Sequence, residues 1–247
     1  MSRTRTRTTS VLLATVLVGG TIFAIARTLP AQAGTSHHVV IPAPAMTLKT
    51  KTGSQAVLAG GCFWGMEMVF QHVDGVRKVV AGYAGGSKAT AHYYDTSTSH
   101  TRHAESVRIF YDPKKISYGE LLRIYFSVAH DPTQVNRQGP DVGPQYRSEI
   151  FALDSAQEKV ATAYVRQLDR AGVFSRAIAT QVGRIQPDQF YPAETYHQNY
   201  GLKHPNSLYI RINDQPKVRA LAEHFPAVYR ATPQVVTGHS RSSGTTG

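Results

Sequence analysis

Between residues 54 and 230, short β-rich runs alternate with helical patterns, and glycine, proline or aspartate punctuates nearly every change. That alternation limits the chain to folds that pack helices on a sheet. Gln55–Ala59 reads as an apolar strand ended by Gly60-Gly61, and a helical pattern follows from Cys62 to about His72, with Phe63, Met66, Val69, Phe70 and Val73 on one side. Asp74-Gly75 turns the chain into a β-rich run, Val76–Tyr83, closed by Gly85-Gly86. Residues 87–103 are polar and loop-like, and Glu105–Tyr111 alternates as a strand with Val107, Ile109 and Tyr111 on one face. Asp112-Pro113 ends it, and Ser117 with Glu120 forms a capping box that opens a helix through Val128. A Gly/Pro/Asn-rich loop, Gln134–Pro144, precedes a strand at Tyr146–Leu153. A helix capped by Asp154 or Ser155 runs to about Arg170, and a last strand spans Ile178–Ile185. The order is β-α-β-β-α-β, then α-β. This predicts an α+β class with a ferredoxin-like split βαβ core, a two-layer α/β plait with extra helices and long loops.

The flanks differ from this region. Arg3, Arg5 and Arg7, an apolar run from Val11 to Ala26, and then Ala31-Gln32-Ala33 follow the order of an export signal. Residues 1–33 are therefore read as a signal peptide cleaved after Ala33 or an uncleaved membrane anchor, although the apolar run is short for a full span. Either way the folded part is expected outside the cytoplasm, periplasmic or extracytoplasmic. Residues 34–53 read as a linker or extended arm, 54–230 as one domain, and 231–247, rich in Ser, Thr and Gly, as a disordered tail. Formal net charge is +11, but four of the 27 basic residues lie in the export segment, where there is no acid. The 23 that remain face 16 acids, a net of +7, in runs of no more than two. A mildly basic, solvated surface follows, with no nucleic-acid partner and a membrane contact only through an uncleaved N-terminus.

The chain has one cysteine, so Cys62 cannot staple the fold internally. It stands in Gly60-Gly61-Cys62-Phe63-Trp64-Gly65, at the passage from strand to helix. Unpaired N–H groups and the positive end of the helix dipole favour a thiolate there, and the glycines let a substrate approach the backbone. Phe63 and Trp64, the sole tryptophan, cannot both lie on one apolar stripe. One or both wall a pocket beside the sulfur, and an apolar, polarisable wall suits a methyl thioether or its oxide.

Gly-Cys-Phe-Trp-Gly followed by Glu67 resembles the signature of the A-type methionine sulfoxide reductases. The resemblance continues in order through Gly82-Tyr83-Ala84-Gly85-Gly86, His103-Ala104-Glu105, His130-Asp131-Pro132-Thr133-Gln134, Gln145-Tyr146-Arg147-Ser148, Tyr196-His197-Gln198 and Asn206-Ser207-Leu208-Tyr209. It implies attack by Cys62 on the sulfur of a methionine S-sulfoxide, free or in a protein. It also implies protonation of the oxide by Glu105, with the Tyr93 and Tyr146 hydroxyls as donors, Asp141 in the site, and Phe63 and Trp64 around the S-methyl group. A carboxyl that donates near neutral pH needs a raised pKa, which partial desolvation of Glu105 would supply. The product at Cys62 would be a sulfenic acid. Relatives often resolve it with a second cysteine, which this chain lacks. The resemblance therefore implies an external reductant, a thioredoxin-like protein or a small thiol. No cofactor is indicated, since no nucleotide-binding glycine fingerprint follows a strand with an acid downstream. Arg102 stands where glycine is expected, placing a charge near the substrate. The competing readings are a cysteine hydrolase pairing Cys62 with His103, His130 or His197, a metal site at His100, His103 and Glu105, and a non-catalytic sulfoxide binder or thiol oxidant sensor.

Overall fold

In the computed structural model, which describes residues 39–48 and 54–235, the apolar run Gln55–Gly60 is strand β1 in the interior of a six-stranded sheet. Every β1 residue from Ala56 on is buried, as expected for a strand covered on both faces. Strand β3 (Ala104–Tyr111) pairs antiparallel with it on one side, Leu58 opposite Val107. Strand β6 (Ser148–Ala152) pairs antiparallel on the other, Leu58 opposite Ile150. Strand β2 (Val76–Ala84) lies antiparallel outside β3. Two short edge strands complete the order β7-β6-β1-β3-β2-β8: β7 (Gln181–Arg184), parallel to β6, and β8 (Phe190–Pro192), antiparallel to β2. The architecture is mixed α and β with a largely antiparallel sheet. Val107, Ile109 and Tyr111 are all buried, as their alternation predicts.

Helix α1 (Phe63–Gln71) buries Phe63, Met66, Val69 and Phe70 against the sheet. The short helix α2 (Tyr93–Ser97) and a 3₁₀ turn at Lys88–Thr90 interrupt the stretch expected to be all loop. Helix α3 (Tyr118–Ile124) carries the expected capping box: Glu120 N–H donates to Ser117 Oγ at 3.1 Å, and Ser117 N–H to Glu120 Oε2 at 2.9 Å. It does not run regularly to Val128. From Tyr125 to Ala129 it widens into a π-helical turn, which lets the Tyr125 hydroxyl donate to Ala59 O of β1 at 2.7 Å. The expected loop at 134–144 contains a small ribbon, β4 (Arg137–Gln138) with β5 (Asp141–Val142). The strand expected from Tyr146 begins at Ser148, because Pro144–Tyr146 forms a 3₁₀ turn. Helix α4 (Ser155–Ala171) is capped by the Asp154 carboxylate on Gln157 N–H at 2.7 Å and stops at Gly172, φ +60°. Helix α5 (Tyr200–Lys203), a π-helical turn at Ile210–Asp214 and helix α6 (Gln215–His224) follow β8, where no element is expected from periodicity.

Residues 39–48 lie as an extended arm on α3 and α4. Ile41 is buried in the core. Arg123 Nε donates to Ile41 O at 2.9 Å, Tyr164 hydroxyl to Pro42 O at 2.7 Å, and Gln167 Nε2 to Ala43 O at 2.9 Å. At the other end, Gln234 N–H donates to Gln71 O at 2.9 Å, so the first residues of the expected tail are tethered. The export segment, residues 34–38 and 49–53 of the expected linker, and the tail from 236 lie outside the described residues.

Candidate active site

The junction between β1 and α1 sets the geometry. Gly61 has φ +90°, and a Cβ there would stand 2.5 Å from Gln138 Cγ, so only glycine fits the turn. The Gln138 amide is fixed by two bonds to the Asp131 backbone, each 3.1 Å. Behind Gly60, Ser148 Oγ lies 2.7 Å from both His130 Nε2 and Thr180 Oγ1, and 2.8 Å from the Tyr125 hydroxyl. Burial holds His130 neutral, its pKa down to about 3. This polar brace fixes the end of β1, and with it the position of Cys62.

Cys62 is the N-cap residue of α1 and is only 8% exposed. The expected thiolate is not its resting form. Burial pushes the thiol well above its usual range, and Glu105, Asp214 and Asp141 add to this. The Trp64 N–H, which bonds to the sulfur, pulls the other way but is outweighed. The dipole argument fails first because burial strips a thiolate of its solvation, and then because carboxyl groups from distant segments share the same helix terminus.

Glu105, on β3, is 4% exposed and accepts from Phe63 N–H at 3.1 Å. Burial raises its carboxyl to about 8, with a smaller push from Asp141 against the pull of that N–H. It is thus an acid at neutral pH, the state desolvation was expected to give it. Tyr93, the first residue of α2, is anchored by its backbone N–H on Glu194 Oε1 at 2.9 Å. Its hydroxyl is pushed up by burial and by Glu105 and Cys62. Tyr146, at the end of its 3₁₀ turn, is pushed up by burial, Glu105, Asp141 and Cys62. Both phenols therefore stay protonated and face the same acid and thiol. Asp141, on β5, accepts from the Tyr209 hydroxyl at 2.5 Å; burial raises its carboxyl, and Tyr209 and Lys217 hold it back.

Phe63 is buried, with ring centroids 5.0 Å from His197 and 5.8 Å from Tyr83. Trp64 is half-buried. It stacks on Tyr200 at 3.7 Å and 11°, meets Tyr209 edge-on at 5.9 Å, and donates its indole N–H to His197 Nδ1 at 3.2 Å. The two side chains split between core and wall, as adjacent helix positions must.

All seven expected site residues thus lie around the head of α1. Sequence reasoning gave no role to Tyr200, Tyr209, Asp214 or Lys217, or to the fully buried Glu67, and weighed His197 only as a hydrolase partner. Burial raises the Glu67 carboxyl to about 8; Oε2 accepts from Asn199 N–H at 2.8 Å and so holds the loop that carries His197 and Tyr200. His197 and Tyr209 stood inside motif runs, but nothing local marks them as neighbours of Cys62. None of the histidines weighed as hydrolase partners is hydrogen-bonded to the thiol. His103 Nε2 bonds to Ser87 O, His130 to Ser148 and Tyr125 O, and His197 to Trp64. Arg102 is exposed, and its carbonyl accepts from Arg147 at 3.0 Å.

A buried thiol, a protonated carboxyl at the next residue's N–H, two phenols and an aromatic wall suit one kind of chemistry. The thiol can attack an electrophilic centre whose leaving oxygen must be protonated, on a substrate with an apolar group.

Comparison with known proteins agrees. The sequence profile of the family described as "Peptide methionine sulfoxide reductase" matches residues 54–228. The chain is 50% identical over 196 residues to peptide methionine sulfoxide reductase MsrA 2 of Mesorhizobium japonicum, covering 79% of this chain and all 100% of that one. It is also 50% identical over 191 residues to the MsrA 2 of Synechocystis, covering 75% and 88%. Among solved structures, it is similar to Mxr1 of Saccharomyces cerevisiae in reduced form, with TM-score 0.55 and 34% identity, covering 63% of this chain and 88% of that one. Methionine sulfoxide reductase A of Corynebacterium diphtheriae gives TM-score 0.53 and 33% identity, covering 71% and 88%.

Proposed function

Since the chain belongs to the peptide methionine sulfoxide reductase family and reduces methionine sulfoxide at the expense of thiols, we propose that Cys62 is the nucleophile and Glu105 the acid of that reaction. The observation that carries this is the meeting of a buried thiol and a carboxyl that keeps its proton to about pH 8 at one helix terminus. The Cys62 sulfur attacks the sulfoxide sulfur while Glu105 protonates the oxide, helped by the Tyr93 and Tyr146 hydroxyls. The proton lost by Cys62 restores Glu105. A sulfur–sulfur bond forms and the sulfur–oxygen bond breaks, and the oxygen then passes to Cys62. The products are methionine, reduced by two electrons, and a Cys62 sulfenic acid, oxidised by two.

Phe63 and Trp64 hold the S-methyl group, and Asp141, bonded to Tyr209, steers the polar side of the site. The preference is for the S epimer, in proteins and as free methionine sulfoxide. With a single cysteine, the sulfenic acid is cleared by an external thiol. That thiol condenses to a mixed disulfide with loss of water, and a second thiol releases Cys62. A thioredoxin-like protein or a small thiol fits this need. The basic, apolar, Ala31-Gln32-Ala33 order at the N-terminus supports reading the reaction as one that takes place outside the cytoplasm. The four-strand order β6-β1-β3-β2, all neighbours antiparallel, supports reading the core as a ferredoxin-like split βαβ plait.

The test is turnover of the separated sulfoxide epimers with dithiothreitol, comparing the chain with its Cys62→Ser variant. Repeated turnover of the S epimer only, abolished by the substitution, is expected. Turnover that survives the substitution, or a single oxidation without cycling, would refute the assignment.

A further inference from the structure

The C-terminal segment brings a second charged group to the head of α1, and the reaction described above does not use it. The π-helical turn Ile210–Asp214 ends on Asp214, which is 0% exposed. Its Oδ1 accepts from Lys217 Nζ at 3.2 Å, and the lysine side chain is itself only 12% exposed. The pair presses on Gly65, three residues past Cys62. A Cβ on Gly65 would lie 2.1 Å from Asp214 Oδ1 and 2.8 Å from Lys217 Nζ. Any side chain at that position would expel the carboxylate. Asp214 Oδ2 is buried with no hydrogen-bond partner.

Fold stability does not explain this arrangement, since a buried ion pair is often no better than apolar residues of the same volume. Location offers a reason. The carboxylate lies in the first turn of the helix that Cys62 caps, where a second negative charge is opposed at short range in a poorly solvated site.

We propose that Asp214 is a positioning residue of the reaction: its carboxylate, kept ionised by Lys217, opposes ionisation of Cys62 and holds the sole cysteine as a thiol while the site is empty. The other groups facing Cys62 are Glu105 from β3, Asp141 from β5, the hydroxyls of Tyr93, Tyr146 and Tyr209, and the Trp64 N–H from α1. Glu105 is neutral to about pH 8, and Asp141 is engaged by Tyr209. Burial, with Asp141, raises the Asp214 carboxyl, and the Lys217 ammonium 3.2 Å away opposes that rise; of the three carboxyl groups it is the one with a direct cation partner, and the charge of this end of α1 rests on that pair. A thiol resists adventitious oxidation and alkylation better than a thiolate. That matters for a cysteine with no second cysteine in the chain to rescue it.

The proposal rests on Cys62 being the nucleophile, and its test is kept separate from that reading. The full chain is alkylated with iodoacetamide, without any sulfoxide, from about pH 6 to about pH 10. Intact mass reports the labelled fraction, and with one cysteine every thiol adduct is at Cys62. Asp214→Asn is expected to move the labelling midpoint down, with roughly tenfold faster labelling at a fixed pH below it. The double variant Asp214→Asn with Lys217→Met buries no unpaired charge and is expected to move the same way; it decides the matter should the single variant not fold. Lys217→Arg keeps the cation and should label like the parent. A midpoint that stays or rises, in variants with native circular dichroism and cooperative unfolding, overturns the proposal. Failure of Cys62 as nucleophile would show instead as sulfoxide turnover by the Cys62→Ser variant.

Discussion

Replacing Glu105 by glutamine removes the proton that the proposed reaction needs and a charge the fold resists. The amide oxygen can still accept from Phe63 N–H, which lies 3.1 Å from Glu105 Oε2, so geometry is conserved. A carboxyl raised from 4.5 to about 8, at ~1.4 kcal/mol per pH unit, opposes folding by at most about 5 kcal/mol once it must ionise. The sign follows from proton uptake. Above pH 4.5 the unfolded chain has lost this proton and the folded chain keeps it, so this group's contribution falls as pH rises towards 8 and levels off beyond. Glu105→Gln should therefore be more stable than the parent at about pH 8.5 and nearly equal at about pH 4. Positioned acids contribute about 10²–10⁴ in rate, so kcat for methionine sulfoxide should fall by that factor. The parent's activity should also decline as pH rises through about 8, where the acid form of Glu105 is lost, while the variant's residual rate loses this limb. Urea unfolding at both pH values, with kcat measured across the range on the same preparations, checks all three. A variant within tenfold of the parent, or one that gains no stability at alkaline pH, would refute the reasoning.

Three further outcomes are expected. Glu67→Gln should show the same alkaline gain in stability by urea unfolding, since burial likewise raises Glu67 to about 8, but with a far smaller effect on kcat. Trp64→Ala removes the stack on Tyr200 and the bond to His197; a loss of about 2–4 kcal/mol is expected, divided between thermal unfolding and a raised KM for the sulfoxide. Gly61→Ala puts a Cβ 2.5 Å from Gln138 Cγ at φ +90°. It should cost at least ~1–3 kcal/mol in urea unfolding and slow turnover, because Cys62 is the next residue.

The elements nearest Cys62 were legible because local pattern dictates them. The apolar run of β1, the one-sided stripe of α1, the alternation through Tyr111 and the Ser117–Glu120 box all need only neighbouring residues. What was missed depends on distant partners. Regular helix stops at Ile124 because Tyr125 bonds to β1. Residues 186–224 show no strong period because they are held by single contacts, such as Asn199 on Glu67 and His197 on Trp64, more than 130 residues apart in sequence. The site shows the same division. Position in the motif pointed to Cys62, Glu105, Phe63 and Trp64, which the fold brings together at the head of α1, and desolvation gave the direction for Glu105. The thiolate expectation failed because it weighed the helix terminus alone, whereas the fold buries Cys62 and brings Glu105, Asp214 and Asp141 to that terminus from far along the chain.

The arm at 39–48 gives the cooperative unit a different outline from the family profile, which begins at residue 54. A chain shortened to that point would lose the buried Ile41, and the Tyr164 hydroxyl, Gln167 amide and Arg123 guanidinium would give up their bonds to the arm's carbonyls. The piece that folds here is therefore larger than residues 54–228. The proposed cleavage after Ala33 would leave residues 39–48, the piece that closes the core, on the mature protein.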